Sequence, residues 1–262
     1  MQICTLLSLI VVVLFGTGSV YASHSWGGYH WARTANPFTL KLGDNVTSAW
    51  DPFLSATSSQ WSASDVLNTS VVPGLSNPKN CKATTGRVEV CNSKYGNNGW
   101  LGIAQIWVSG LHIVQATTKM NDTYFNTRSY NSPAWRQLVM CQEVGHTFGL
   151  NHQDEIFNNT NLGTCMDYTN DPDGTIYGQL SNEQPNTHDF DELDIIYSHL
   201  DTTTTISGSV NGNGHGKPAF VEAIADSQGD WGRSIRDNGR VALFEKDFGG
   251  GNKLFTFVVW AK

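Results

Sequence analysis

Basic residues are scarce in this chain and are spread along it. The 262 residues include 16 Lys or Arg against 23 Asp or Glu, which gives a formal net charge of −7. Proteins that bind nucleic acids or anionic membranes concentrate positive charge, because their partners are polyanions. The composition therefore predicts neither nucleic-acid binding nor attachment to an acidic membrane surface.

Long apolar runs are also missing after the amino terminus. The run over residues 6–15 is too short to span a bilayer comfortably. Small residues follow, and Val20 and Ala22 fit a cleavage site before Ser23. The pattern predicts a signal peptide over 1–22 and a secreted, extracellular protein with no stable membrane insertion once that peptide is removed. An uncleaved membrane anchor is the alternative.

The most informative stretch lies at the end of a predicted helix. Residues 142–152 read QEVGHTFGLNH, after an apolar, helix-favouring run. That run opens with Ser132 and Pro133, a favourable cap and first helical residue. Gly149 suits the left-handed turn that ends many helices. Such a turn would bring His152 back toward His146.

This stretch resembles the metzincin metallopeptidases, whose motif HExxHxxGxxH is followed by a methionine-containing turn. The matching positions are Glu143, His146, Gly149 and His152, and the downstream segment TCMDY resembles the Met-turn, with Met166 as its methionine. The resemblance implies a zinc-dependent endopeptidase that acts on protein or peptide substrates. His146 and His152 would be metal ligands, and Glu143 would be the general base toward zinc-bound water.

One motif position departs from the family, because Gln142 stands where the first histidine is expected. A Gln carbonyl oxygen can bind zinc, but it is neutral and harder than an imidazole nitrogen. Three interpretations follow: a site in which Gln142 is a weaker third ligand, a site that borrows another ligand such as His112, or a catalytically inactive binding protein. A copper-dependent extracellular protein is a further alternative.

Several other residues are assigned secondary roles. Asp154 is placed to orient His146 or His152, or else is a solvated loop charge. By loose analogy with the family, Tyr168 would stabilise the developing oxyanion. The N-terminal histidines, His24 and His30, could bind metal, but the favoured interpretation is that they are mobile and surface-exposed.

Cysteine use agrees with export. If Cys4 leaves with the signal peptide, four cysteines remain, and they allow three pairings. We favour Cys81–Cys91, which closes a short loop, and Cys141–Cys165, which would join the helix to the Met-turn. The sequence also holds four N-glycosylation sequons, and their acceptors are Asn45, Asn68, Asn121 and Asn158.

The order of elements predicts an α+β fold: a metzincin-like catalytic domain with a twisted mixed sheet, an active-site helix and a C-terminal helix, plus a small C-terminal β appendage. The expected division is a signal peptide over 1–22, the metallopeptidase domain over 23–200, a linker over 201–216 and a β-rich region over 217–262. The resemblance also implies an edge strand that pairs with extended substrate, although the sequence does not say which strand. A monomer is expected.

Overall fold

A computed structural model describes residues 24–206 and 227–262. The predicted signal peptide, most of the predicted linker and the beginning of the C-terminal region lie outside the described residues. None of the helices in the described parts is long and apolar enough to cross a bilayer.

The fold is α+β with one mixed sheet, which confirms the predicted class. The strands are β1 His30–Trp31, β2 Phe38–Asn45, β3 Leu67–Pro73, β4 Val88–Ser93, β5 Trp100–Ser109, β6 His112–Asn121, β7 Arg233–Asp237, β8 Val241–Gly249 and β9 Asn252–Trp260. The helices are α1 Asp51–Trp61, α2 Asp122–Phe125, α3 Pro133–His146 and α4 Thr187–Ile196.

The sheet runs continuously from the N-terminal strands into the C-terminal ones, in the order β3-β2-β4-β6-β5-β9-β8-β7. Strands β2, β3, β4 and β6 pair in parallel, whereas β5, β9, β8 and β7 are antiparallel to their neighbours. The short strand β1 pairs in parallel with β6. The C-terminal strands therefore extend the same sheet that carries the rest of the fold.

Two hydrophobic clusters cover opposite faces of the central strands. The larger cluster packs α1, α3 and α4 on one face, and Ile106 of β5 and Phe257 of β9 belong to it. The smaller cluster lies on the other face and contains Trp107 of β5 and Val258 of β9. Because β5 and β9 are buried on both faces, both strands are rich in apolar residues.

Strand pairing and side-chain capping determine where two helices begin. Helix α1 begins at Asp51, after β2, which continues to Asn45 and pairs with both β3 and β4. Asn186 caps helix α4. Its side chain accepts a hydrogen bond from the Asp189 backbone, and the Asp189 carboxylate accepts one from the Asn186 backbone.

The N-terminal histidines, which were predicted to be mobile and surface-exposed, are buried. His24 and His30 are 4% and 2% exposed. The ring of His24 hydrogen-bonds the Asp189 carboxylate at 3.1 Å, and its backbone carbonyl accepts from Asn151. Trp31 donates its indole N–H to the Thr147 carbonyl at 2.8 Å. This segment therefore supports the loop that follows α3.

Two of the four sequon asparagines are structural residues. Asn45 and Asn121 are 7% and 0% exposed, and their side chains hydrogen-bond backbone groups of neighbouring segments. A glycan cannot occupy either position in the folded chain. Asn68 is half-buried and Asn158 is exposed, so these two remain accessible.

Candidate metal centre

Helix α3 begins and ends where its local sequence predicts. The Ser132 hydroxyl accepts from the Trp135 backbone N–H at 3.2 Å, and Pro133 occupies the first turn. At the other end Gly149 has φ +98°, and a Cβ there would lie 2.1 Å from the Tyr29 carbonyl oxygen. Only glycine fits this turn, which directs the chain back past the end of the helix.

The turn brings His146 and His152 together. Their rings are perpendicular, with centroids 4.6 Å apart, and their Nε2 atoms are 3.1 Å apart. His146 is fully buried and His152 is 8% exposed. The sequence spacing of the two residues thus becomes a pair of convergent imidazole nitrogens.

Hydrogen bonds at the far side of each ring determine which nitrogen carries the proton. The Nδ1 atom of His146 lies 2.9 Å from the Leu150 carbonyl oxygen, which can only accept. The Nδ1 atom of His152 lies 3.1 Å from Oε1 of Glu155. We assign the proton of both rings to Nδ1 on this basis. Two Nε2 lone pairs then face each other, an arrangement that a cation between them would stabilise.

The separation of these atoms fits zinc. Tetrahedral coordination with Zn–N bonds of 2.0–2.1 Å places two ligand nitrogens about 3.3 Å apart.

The carboxylate that hydrogen-bonds the His152 ring is that of Glu155, so the predicted role of Asp154 was wrong. Asp154 accepts instead from Asn159 and from the Ile156 backbone.

Gln142 lies on the same helix one turn before His146, and it is fully buried. Its Nε2 donates to the carbonyl oxygen of Cys165 at 2.9 Å. Its Oε1 is buried and has no hydrogen-bond partner. A buried amide oxygen without a partner costs about 1–3 kcal/mol unless something binds it. The Gln142 side chain is therefore anchored by its nitrogen and leaves its oxygen, the atom that could bind a metal, unused.

Glu143 is fully buried and neither carboxylate oxygen has a hydrogen-bond partner. Burial raises its pKa well above the usual range. Gly102 on β5 makes room for the carboxylate, since a Cβ at that position would lie 2.5 Å from Glu143 Oε1. An acid without a partner in an apolar surrounding is costly for stability, and such groups concentrate at functional sites.

Burial lowers the pKa of both histidines, and for His146 the neighbouring His152 lowers it further. The bond from Glu155 acts in the opposite direction on His152. Neutral imidazoles are the form that binds metal ions. The site therefore favours the protonation state that coordination requires.

The Met166 side chain packs against helix α3 at Gly145. The contact is so close that a Cβ added to Gly145 would lie 2.6 Å from the Met166 sulfur. Two contacts hold the segment around this methionine. The Met166 carbonyl accepts from the Gln153 backbone at 2.7 Å, and a disulfide joins Cys165 to Cys141 on α3. The other bond, Cys81–Cys91, also forms as predicted. A bridge with these separations contributes about 2–4 kcal/mol.

The hydroxyl of Tyr168 is engaged elsewhere. It donates to the carbonyl oxygen of Trp260 at 3.3 Å, the ring is 1% exposed, and burial raises its pKa. The predicted oxyanion role would require that bond to β9 to break.

The C-terminal strands pack against His146 and against the loop that follows it. The ring of Phe257 stacks on His146 at 4.3 Å between centroids, with an interplanar angle of 10°. Phe257 lies on β9 opposite Ala104 of β5. Arg236 of β7 contacts Glu155 Oε1 at 2.8 Å and Asn151 Oδ1 at 2.8 Å. Sequence reasoning missed this packing entirely.

A second group of potential ligands lies away from α3. His30, His199 and Asp201 offer one ligand atom each, and these atoms lie within 4.8 Å of one another. His112, considered above as a replacement ligand for the first site, belongs to this neighbourhood, since its Nε2 is 3.1 Å from Asp201 Oδ1. It therefore does not replace the missing motif histidine.

Asp167 follows the methionine and gives the folded protein a distinct pH dependence. Its Oδ2 accepts from the Leu162 backbone and the Asn182 side chain, but its buried Oδ1 has no partner. Burial raises its pKa from 3.8 to about 6. The folded state thus holds this proton more tightly than the unfolded state, so the contribution to stability is complete below pH 4 and is lost as the pH rises through 6.

Replacing Asp167 with asparagine should remove that dependence, because Asn keeps an acceptor oxygen for Leu162 and Asn182 and does not titrate. We expect the melting temperature of Asp167→Asn, relative to that of the parent protein, to increase as the pH rises from 4 to 6. Above pH 6 the difference between the two melting temperatures should stay constant. Thermal unfolding at several pH values measures the difference. The exposed Asp191→Asn serves as the control, and an equal gain there would contradict the assignment.

Comparison with models of known protein families gives no match for this chain, and comparison with curated protein sequences gives no significant match.

Proposed function

We propose that this protein is a metal-dependent peptidase of the metzincin type, exported from the cell, that binds zinc through His146, His152 and the side-chain oxygen of Gln142. The observation that carries the proposal is the pair of Nε2 atoms facing each other at 3.1 Å, with both Nδ1 atoms engaged. The two disulfides support export, because such bonds persist in oxidising compartments.

The described residues suit the chemistry of peptide hydrolysis. A zinc ion in such a site would polarise the scissile carbonyl and lower the pKa of water. Glu143 would take a proton from the attacking water and deliver it to the leaving amine, because its carboxyl is free of other hydrogen bonds. Gln142 would hold its oxygen in place through the bond to Cys165.

Glutamine at position 142 should lower the affinity of the site for zinc. An amide oxygen is neutral and binds zinc more weakly than an imidazole nitrogen. The carboxylate of Glu155 partly offsets this, since a hydrogen bond to the far nitrogen of a ligand histidine orients the ring and makes it more basic. We therefore expect the site to release zinc readily to chelators.

A catalytically inactive binding protein on the same scaffold is the second candidate. The cover formed by β9 favours it, because Phe257 occupies the space against His146 and the β9 backbone occupies the edge of β5. Extended peptides bind proteases and many other domains by adding a strand to a sheet edge. In this chain β9 already pairs with that edge of β5.

One experiment separates the candidates. The full chain is expressed with export into an oxidising compartment, loaded with zinc, dialysed, and analysed by elemental mass spectrometry and with a peptide library. A peptidase retains zinc that is lost in His152→Gln and cleaves library members. Zinc that depends on His152 without any cleavage supports the binding protein. Failure of His152→Gln to change the zinc content, or retention of copper instead, would contradict the proposed site.

A further inference from the structure

Strand β1 places His30 beside His112. The two residues are partners in the parallel pairing of β1 with β6. His30 is buried, and its Nδ1 lies 2.8 Å from the carbonyl oxygen of Gly28, so that nitrogen carries the proton. The Nε2 lone pair of His30 is therefore directed away from its own strand.

The chain that follows α4 brings two further groups to this lone pair. The Nε2 of His199 lies 3.2 Å from the Nε2 of His30. Oδ1 of Asp201 lies 3.6 Å from the His30 nitrogen and 3.8 Å from the His199 nitrogen. The same oxygen is 3.1 Å from His112 Nε2. Three imidazoles thus converge on one carboxylate oxygen.

Arg33 fixes the carboxylate in this orientation. Its backbone N–H and its Nη1 both donate to Oδ2 of Asp201, at 3.1 and 3.0 Å. Only Oδ1 remains for the histidines. The same guanidinium also donates to the Tyr197 carbonyl, so the arginine itself is held in place. The oxygen that faces the imidazoles is therefore positioned by buried contacts and does not depend on a flexible side chain.

We propose that His30, His199 and Asp201 bind a zinc ion, with His112 hydrogen-bonded to the carboxylate ligand. Tetrahedral zinc places its N and O ligands about 3.3 Å apart, close to the 3.2–3.8 Å separations among the first three. Imidazole and carboxylate ligands suit zinc. Three protein ligands leave the fourth position of tetrahedral zinc to a water molecule.

The ion would tie the N-terminal segment to the chain after α4. Trp31, the residue after His30, donates to the Thr147 carbonyl in the loop that follows the first site. Tyr197, two residues before His199, donates its hydroxyl to the Phe148 carbonyl at 2.9 Å. A zinc ion here would therefore stabilise the two segments that support the loop between His146 and His152.

The test uses the full-length protein, stripped of metal with a chelator and titrated with zinc against a coloured competing chelator. His199 is suited to substitution because its side chain is 53% exposed, so the variant should fold. We expect His199→Ala to bind about one zinc fewer than the parent protein. Ser198→Ala, an exposed neighbour outside the cluster, should bind the same amount as the parent.

Thermal unfolding gives a second readout. Zinc should raise the melting temperature of the parent and of Ser198→Ala more than that of His199→Ala, since a ligand stabilises the folded state that binds it. Equal zinc content and equal stabilisation in His199→Ala and the parent would overturn the proposal.

These outcomes are independent of the peptidase proposal. If the parent binds a single zinc that His199→Ala loses and His152→Gln retains, the cluster binds metal and the first site does not. The opposite pattern supports the first site and overturns the cluster.

Discussion

Replacing Glu143 with glutamine is expected to reduce peptide hydrolysis about 10²–10⁴-fold, the usual contribution of a general base. The two side chains have nearly the same shape, but the amide cannot accept the proton of the attacking water. Neither oxygen of Glu143 has a hydrogen-bond partner in the described structure, so the substitution breaks no existing bond. We therefore expect normal folding and an unchanged zinc content.

The measurement is kcat/KM on a cleaved peptide, made alongside zinc analysis and thermal unfolding of the same preparations. Asp191→Asn is the matched control, because it also converts an acid to its amide but lies exposed on α4. Full activity in Glu143→Gln would eliminate the general-base role. Loss of zinc together with activity would show instead that the carboxylate helps to hold the metal.

Phe257→Ala should have the largest effect on stability and should uncover His146. Truncation of a buried Phe costs about 3–5 kcal/mol, and this ring packs against His146 and Trp26. The same change removes the ring stacked on His146. We expect a lower melting temperature together with faster zinc exchange, and faster peptide cleavage if the protein is a peptidase.

Phe255→Ala supplies the matched control. Phe255 lies two residues away on β9, is equally buried and contacts Trp26 and Tyr29. It should lose similar stability without changing zinc exchange. If both variants alter exchange equally, general loosening of β9 explains the effect and Phe257 has no specific covering role. The milder Phe257→Leu keeps the test available should the alanine variant fail to fold.

The parts of the structure that the sequence predicted well are those with local signals. Helix α3 has a serine cap, a proline in the first turn and a glycine after its end, and each acts within a few residues. The convergence of His146 and His152 depends on that same short segment. The role of Glu155 was available from the sequence too, since an acid three residues after a histidine can reach its ring.

The missed features depend on contacts between distant segments. His30 and His199 are 169 residues apart, and nothing in the periodicity of either segment indicates that they meet. The insertion of β9 between β5 and β8 likewise depends on strand pairing, which alternation of apolar residues does not specify. A β-rich C-terminal region was predicted, but its neighbour in the sheet was not.

The position of β9 has a consequence for how this chain reaches its native state. β9 comes last among the described strands, yet it lies inside the sheet, between β5 and β8. Synthesis delivers the N-terminal part first. Until the last hairpin emerges, the 10-residue, largely apolar β5 has one unpaired edge. Such edges recruit other chains, so nascent or C-terminally shortened forms should be the ones that depend most on chaperones.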